Sequence, residues 1–186
     1  MQRYMIHLKN SSYTPRDAQK LLTESRKLTS EIESVIRDTR VSSRYLEFDV
    51  SVDKEKLSTF VTKLDTIGPL DHTRLVIEEQ IEKNEAIEQG RFYFNNERYW
   101  ECHEVIEGVW KQCFREEKKL LNGIILIAAA MVHFQKDENT ICFSILKRAL
   151  KKLANSDKKY HGIDVDTLRK TVSQMIETGK IKTFTI

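Results

Sequence analysis

The sequence predicts a protein of mixed α+β class, in which a small domain of strands and helices precedes an all-helical domain. The first observation is that short alternating stretches and helical stretches follow one another up to about residue 77. The second is that apolar residues recur at helical spacing from residue 78 onwards, with only short breaks between segments. We therefore expect two domains, at 1–77 and 78–186.

Local signals in the first half define its elements. Residues 4–8 alternate in side-chain character, which predicts a strand, and residues 14–17 supply an N-cap, a first-turn proline and a capping-box acid that open a helix. The expected elements are, in order, a strand at 4–8, a helix from 14, strands at 35–40 and 45–52, a helix capped by Asp53 that ends near 68–69, and a strand at 75–77. The resulting order, βαββαβ, is the split arrangement of ferredoxin-like domains.

The second half is predicted to be helical throughout. Its helices are expected at 78–95, 97–114, 117–136, 139–154 and 164–178, the last one capped by Asp164. The short breaks favour antiparallel neighbours in a compact five-helix bundle. Residues 120–130 are apolar on all sides, so that helix is expected to be the central one. The segment 181–186 is either docked on the bundle or frayed.

Charge and cysteine usage exclude several classes of protein. The net charge is +3 and the basic residues are interspersed with acids, so we expect no dominant nucleic-acid surface, and we interpret the lysines at 151, 152, 158 and 159 as solvated. The longest apolar run, 120–134, is too short to span a membrane. Three cysteines without a CxxC pair, and no apolar signal segment at the start, favour a cytoplasmic location.

The most informative segment is 94–111, FNNERYWECHEVIEGVWK, which concentrates aromatic, histidine and glutamate residues. In a helix that advances about 100° per residue, one stripe collects apolar and titratable side chains together. The stripe consists of Trp100, His103, Glu107, Trp110 and Phe114, with Tyr99 beside it. We expect this stripe to pack inward, where a buried His and Glu need partners because burial without them costs several kcal/mol.

The positions of the polar residues predict how they meet. His103 and Glu107 are four residues apart, so the carboxylate can orient the imidazole and leave its other nitrogen available. Glu104 lies on the shoulder of the stripe, and Glu101 points towards solvent. His133 shares its helix face with alanines, which allow a close approach of another helix and could bring it to the His103 pair.

Several spaced blocks resemble a known family. They are FNNERYWECHEVIEGVWK, EKKLLNGIILIAAAMVHFQK, LKRALKKL and YHGIDVDTL, and over about residues 90–170 they resemble the family catalogued as domain of unknown function 309. The resemblance implies an all-helical bundle of tandem hairpins in a soluble bacterial or archaeal protein, and it supplies no reaction. In the family a glycine-containing turn usually follows the block at 133–136, whereas residues 137–139 here read Asp-Glu-Asn.

Three interpretations of the polar residues remain open. In the first, His103, Glu104, Glu107 and His133 hold a divalent metal such as zinc, manganese or iron, and a bound water performs hydrolysis. The sequence has neither the HExxH of zincins nor the paired ExxH of di-iron bundles. This interpretation requires at least three ligand side chains to converge on one point.

In the second interpretation, aromatic side chains wall an apolar pocket for a small organic ligand or a partner's side chain. Its walls would be Tyr99, Trp100, Trp110 and Phe92, with His103, Glu107 and His133 as orienting groups. In the third, the two histidines, Glu107 and Asn122 form a closed, fully paired network that only fixes helix register. We expect a ligand- or partner-binding module, with the metal-dependent hydrolase as the alternative and His103, Glu107 and His133 as its candidate catalytic groups.

Overall fold

The computed structural model describes residues 1–77, 80–156 and 158–186 of the chain. Contacts divide the chain into two units. The first consists of Met1–Glu78 together with Gln135–Asp137, and the second of Glu79–Phe134 together with Glu138–Ile186. Within the described parts of the chain, no helix combines the length and the apolar character that crossing a membrane requires.

Among its described residues, the first unit has four strands and two α-helices in the predicted order βαββαβ. The elements are β1 (Gln2–Lys9), α1 (Ala18–Leu28), β2 (Ser34–Val41), β3 (Tyr45–Val52), α2 (Leu57–Leu64) and β4 (Leu70–Leu75), with 3-10 turns at Pro15–Asp17 and Lys54–Lys56. All strand pairs are antiparallel and the strand order is β2-β3-β1-β4. The predicted capping box is confirmed, because the backbone N–H of Thr14 donates to the Asp17 carboxylate at 2.8 Å. It opens the 3-10 turn Pro15–Asp17, and α1 itself begins at Ala18.

One face of this sheet forms an apolar core with the two helices. It consists of Tyr4, Ile6 and Leu8 from β1 and Leu46, Phe48, Val50 and Val52 from β3, packed with Leu21, Leu22, Phe60 and Leu64. The alternation predicted for residues 45–52 is therefore confirmed on the apolar side. The polar side departs from the simple expectation, because Glu47, Asp49 and Ser51 are also buried.

The position of the last strand differs from the prediction. The sequence predicts it at 75–77, whereas β4 spans Leu70–Leu75 and Ile77 is 58% exposed. β4 lies at an edge of the sheet, and most of its side chains reach solvent. An edge strand of this kind needs no apolar face, so its polar sequence, LDHTRL, carries no alternating signal.

The second unit contains the five helices that the sequence predicts. They are α3 (Lys83–Asn95), α4 (Tyr99–Trp110), α5 (Arg115–Phe134), α6 (Asn139–Leu153) and α7 (Val165–Thr178). Two short strands that the sequence did not indicate, β5 (Lys159–Tyr160) and β6 (Ile163–Asp164), pair through a turn at 161–162 in which both residues have positive φ. The Asp164 side chain caps α7 as predicted, because it accepts from the Thr167 N–H at 2.9 Å.

The helix α5 is the centre of this unit, as its all-round apolar sequence predicts. It packs against both α4 and α6, and its buried residues include Leu121, Ile124 and Ala128. The contact with α6 is very close at Gly123, where a Cβ atom would lie 2.5 Å from Leu153 Cδ2. Glycine at this position therefore allows the two helices to approach.

The segment after α7 is docked rather than frayed. The Phe184 ring lies 5.1 Å from the Phe94 ring, edge to face. The Asn95 side chain donates to the Ile186 carbonyl at 3.2 Å and accepts from the Ile186 N–H at 2.8 Å. Gly179, with φ of 65°, ends α7 in the left-handed conformation that sends the chain back towards α3.

Two glycine substitutions test this packing. Gly123→Ala should lower the free energy of unfolding by about 1–3 kcal/mol, because its methyl group would overlap the buried Leu153 side chain. Gly108→Ala in α4 should raise it by about 0.5–1 kcal/mol, because no atom lies within 4 Å of the added Cβ and alanine favours the helix. Urea unfolding monitored by circular dichroism measures both. Equal effects of the two substitutions would contradict the close α5–α6 contact.

Candidate functional site

The helix α4 packs through a different face from the predicted one. Its buried residues are Tyr99, Glu101, Cys102, Ile106 and Val109. Of the predicted inward stripe, Phe114 is 76% exposed, and Trp100, His103, Glu107 and Trp110 are only partly buried. The predicted inward stripe was therefore wrong: the face that packs inward is rotated about the helix axis by about 100°, which corresponds to one residue. Both faces carry aromatic or apolar residues, so periodicity alone does not choose between them.

The aromatic residues proposed as pocket walls mostly have packing roles. Tyr99 is fully buried and packs edge to face on Phe94 at 4.9 Å, so it cannot line an open pocket. Its hydroxyl has no hydrogen-bond partner among the described residues, and burial raises the pKa of the phenol. The Trp110 indole N–H donates to the Lys118 carbonyl at 3.0 Å, and the Lys118 ammonium lies 4.8 Å from the ring centre.

Three of the predicted site residues form a group on the outward side of α4. His103 Nδ1 lies 3.2 Å from Glu104 Oε1 and 3.8 Å from Glu107 Oε2. One ligand atom from each of the three side chains falls within 4.8 Å of the other two. The side chains of His103, Glu104 and Glu107 are 26%, 47% and 38% exposed, so this group is open to solvent. The interpretation as a closed structural core is therefore wrong for His103 and Glu107.

His133 lies outside this group. Its Nδ1 is hydrogen-bonded to the carboxylate of Glu138, the residue that precedes α6, and its side chain is 30% exposed. Among the described residues, the cluster of possible metal ligands on α4 contains His103, Glu104 and Glu107 without His133. The four-residue metal set that the sequence suggested is therefore divided into a three-residue group and a separate His–Glu pair.

A largely buried ion pair at the start of α4 does not appear among the residues that the sequence predicts. Both guanidinium nitrogens Nε and Nη2 of Arg98 donate to the Glu101 carboxylate, which is 1% exposed. The prediction that Glu101 is solvated was wrong. The Arg-x-x-Glu spacing, which places both side chains on neighbouring turns, was the signal that could have identified this pair.

The polar side of the β1–β3 sheet holds a second buried cluster. His7 is fully buried, and its Nε2 lies 2.9 Å from Glu47 Oε2. Arg40 pairs with the other oxygen of Glu47. The His72 ring stacks on the His7 ring at 4.2 Å with an angle of 10°, and His72 Nδ1 lies 2.7 Å from Asp71. Each of these charged groups has a partner of opposite charge or an aromatic neighbour.

None of these sheet residues was a sequence candidate. They come together only through the register of the folded sheet, in which antiparallel pairing places His7 directly opposite Glu47 and His72. Further along the same face, Arg3 forms a bidentate pair with Asp49 at 2.9 and 2.6 Å. Predicting the cluster would have required the strand order, which local sequence patterns do not contain.

The cysteines show no sign of nucleophilic activation. All three are buried free thiols. Burial raises the pKa of Cys102 and Cys113, and that of Cys142 to about 12. Beside Cys113, the Glu117 carboxylate accepts from Lys83 Nζ and from the Tyr160 hydroxyl, both at 2.9 Å. The hydrogen bond from Lys83 lowers the pKa of Glu117, so this cluster stabilises charge on Glu117 rather than on sulfur.

The helical part of the chain matches a protein family. The model of the family described as "Domain of unknown function (DUF309)" matches residues 87–144. The resemblance seen in the sequence is thereby confirmed. Among curated proteins, an uncharacterized protein of Aquifex aeolicus (strain VF5) is 26% identical to this chain over 98 residues, which are 52% of the chain and 29% of that protein. The chain thus corresponds to less than a third of that relative's length.

A solved structure is also similar to part of the chain. It is the crystal structure of a conserved hypothetical protein from Thermus thermophilus, with 28% sequence identity and a TM-score of 0.43. The similarity covers 48% of this chain and 94% of that protein. The descriptions of these relatives name no reaction, so the site has to be interpreted from its own geometry.

Two glutamates of α4 provide a test of its orientation. Glu101→Ala should lower the free energy of unfolding by about 3 kcal/mol, because it removes the carboxylate that pairs with the Arg98 guanidinium, whose side chain is only 12% exposed. Glu107→Ala should change it by no more than about 0.5 kcal/mol, since its side chain is 38% exposed. Thermal and urea unfolding measure both variants. A greater loss of stability for Glu107→Ala than for Glu101→Ala would show that α4 packs through the face that the sequence predicted.

The Glu117 cluster gives the protein a pH dependence of known sign. The hydrogen bond from Lys83 lowers the pKa of Glu117 in the folded protein. The ionised Glu117 therefore stabilises the fold at pH values above its pKa in the unfolded chain. This stabilisation is lost as the pH falls through the pKa of Glu117 in the folded protein. Glu117→Gln should therefore lower the free energy of unfolding by about 1 kcal/mol at pH 7 and by much less at pH 3. The value at pH 7 is small because solvent screens the partly exposed ion pair. Glu116→Gln, on the exposed side of the same turn, is the control. A constant difference across this pH range would contradict the assignment.

Proposed function

We propose that this chain is a binding module and that it binds a divalent cation on the outward side of α4. The observation that supports this most directly is the group of His103, Glu104 and Glu107, whose ligand atoms lie within 4.8 Å of one another. One imidazole and two carboxylates form a mixed nitrogen and oxygen donor set. Such sets suit zinc and similar first-row divalent ions.

The helix itself supplies much of the geometry that this proposal needs. His103 and Glu107 are separated by about one turn, so both side chains project from the same side of α4. Glu104 already lies within 3.2 Å of the imidazole, so only small side-chain rotations would separate the three donors around an ion. A cation there would also neutralise two carboxylates held close together in partial contact with water.

The exposure of the group favours binding over a purely structural role. A network that fixes helix register gains its specificity from burial and complete pairing. The three side chains instead remain from about one quarter to almost one half exposed, with values of 26%, 38% and 47%. The apolar contacts of α4 are made by other residues, including Cys102 and Ile106, so the outward group is not needed for packing.

Metal-dependent hydrolysis is the second function we propose for this group. Catalytic zinc sites use three protein ligands and keep a further position for water, which the metal activates as a nucleophile. A set of three donors that faces solvent meets this requirement. His133 would not be a ligand in this mechanism, because it lies outside the group of ligand atoms that His103, Glu104 and Glu107 form.

We further propose that the first unit is a ferredoxin-like domain and that the domains correspond to 1–77 and 78–186. The order βαββαβ and the strand order β2-β3-β1-β4 support this assignment. The three free thiols support a reducing compartment such as the cytoplasm.

The proposal is tested by titrating Zn²⁺ or Mn²⁺ into tag-free, metal-free protein in a calorimeter. The expected result is one ion per chain, with affinity reduced at least about tenfold by His103→Ala or Glu107→Gln. The matched controls are His161→Asn and Glu116→Gln, which alter an exposed histidine and an exposed glutamate outside the group. Both controls should bind as the parent protein does.

Two results would overturn the metal site: no binding by the parent protein, or equal weakening by the control substitutions. The zinc-loaded protein is also assayed for hydrolysis of phosphoester and amide substrates. Turnover that Glu107→Gln abolishes would establish the hydrolase. Stoichiometric metal binding without turnover would leave the binding function alone.

A further inference from the structure

The outward side of α6 carries four cations and no acid. Lys147, Arg148, Lys151 and Lys152 are all exposed. The segment 139–156 contains neither aspartate nor glutamate, although the whole chain has 28 acidic residues. Charge is therefore segregated locally in a protein whose net charge is only +3.

The helix arranges these cations as a continuous surface. At about 100° per residue, the four side chains occupy one arc together with the exposed Thr140 and Ser144. Lys147 and Lys151, like Arg148 and Lys152, are about 6 Å apart along the helix axis. The arc thus presents two cationic rows with hydroxyl groups beside them, all on one side of α6.

Within the part of the chain that the structure describes, no neighbouring acid neutralises these charges. Among the residues that the structure describes, none of the four forms an ion pair. Other surface lysines of the second unit do: Lys83 pairs with Glu117 at 2.9 Å, and Lys119 with Glu116 at 2.7 Å. The four cations of α6 therefore remain available to a ligand.

The opposite side of α6 fixes the direction in which the cations point. Cys142, Leu146, Ala149 and Leu153 are each 0% exposed and belong to the core of the second unit. Because the apolar side is already used in packing, α6 cannot insert that side into a lipid surface, as interfacial helices do. Attraction to a membrane would thus rest on charge alone.

The residues of the arc distinguish between the two remaining kinds of partner, another protein and a nucleic acid. Protein interfaces are depleted in lysine and depend on buried aromatic or apolar anchors. The one large apolar side chain exposed on α6 is Ile141, at 45%. Nucleic-acid affinity, in contrast, is dominated by contacts of lysine and arginine with phosphates, and hydroxyl groups also donate to them.

We propose that the outward side of α6 binds the phosphate backbone of nucleic acid. The arc contains no aromatic residue to stack on bases, so binding is independent of base sequence. This inference replaces the expectation, drawn from net charge, that the lysines of this region are merely solvated. It is independent of the proposed metal site, which lies on α4.

Fluorescence anisotropy with labelled duplexes of about 20 base pairs, in two unrelated sequences, tests the proposal. Both duplexes should bind with similar affinity. A plot of the logarithm of the association constant against the logarithm of the salt concentration should fall with a slope of about 3 to 4, as expected for up to four phosphate contacts. Changing Lys147, Arg148, Lys151 and Lys152 together to Gln should weaken binding at least about tenfold. Circular dichroism verifies that this variant is folded.

The matched control changes four exposed lysines elsewhere to Gln: Lys20, Lys27, Lys54 and Lys182. It removes the same charge and should retain most of the affinity. The proposal is wrong if the parent protein binds neither duplex at about 50 mM salt, or if the control weakens binding as much as the α6 variant does. Co-sedimentation with anionic phospholipid vesicles in the absence of duplex binding would assign the surface to membranes instead.

Discussion

The packing of α4 and α6 against α5 determines which side chains the second unit presents to solvent. A helix can bury only part of its circumference, and α5 is the element that both neighbours use for burial. Once Cys102 and Ile106 are in the core, His103 and Glu107 are directed outwards. Once Leu146 and Leu153 are in the core, the cations of α6 are directed outwards as well. The small residue Gly123 maintains this arrangement, because it lets α6 lie close to α5.

Buried and exposed polar groups in this chain differ in a way that bears on function. The buried carboxylates are paired: Glu101 with Arg98, Asp49 with Arg3, and Glu47 with Arg40 and His7. Burying a charge is costly unless it is paired, so these pairs mainly offset a cost that the fold itself creates. A group that binds an external ligand must instead keep donors in contact with solvent. The His103 group meets this condition, and the sheet cluster around His7 does not.

Much of the fold could be predicted from local patterns, whereas the site could be predicted only in part. Helical periodicity and the caps at Thr14 and Asp164 located α1 and the five helices of the second unit. The predicted position of the edge strand β4 was wrong because a strand at the edge of a sheet needs no apolar face and so carries no alternating pattern. The predicted inward face of α4 was wrong because two arcs about 100° apart both carry aromatic or apolar residues, and only contact with α3 and α5 selects one of them. Proximity of His103 to Glu104 and Glu107 follows from the helix, but the separation of His133 from them depends on tertiary packing.

The two surfaces also show why whole-chain averages conceal function in a protein of this kind. The net charge of +3 averages over an acidic group on α4, a basic arc on α6 and many neutralised pairs. Electrostatic binding depends on local charge, because screening limits interactions between exposed groups to about 10 Å at moderate salt. Both surfaces lie opposite the apolar arcs of their helices. Substitutions there change charge without changing the core, so a loss of binding by a folded variant reports on the surface itself.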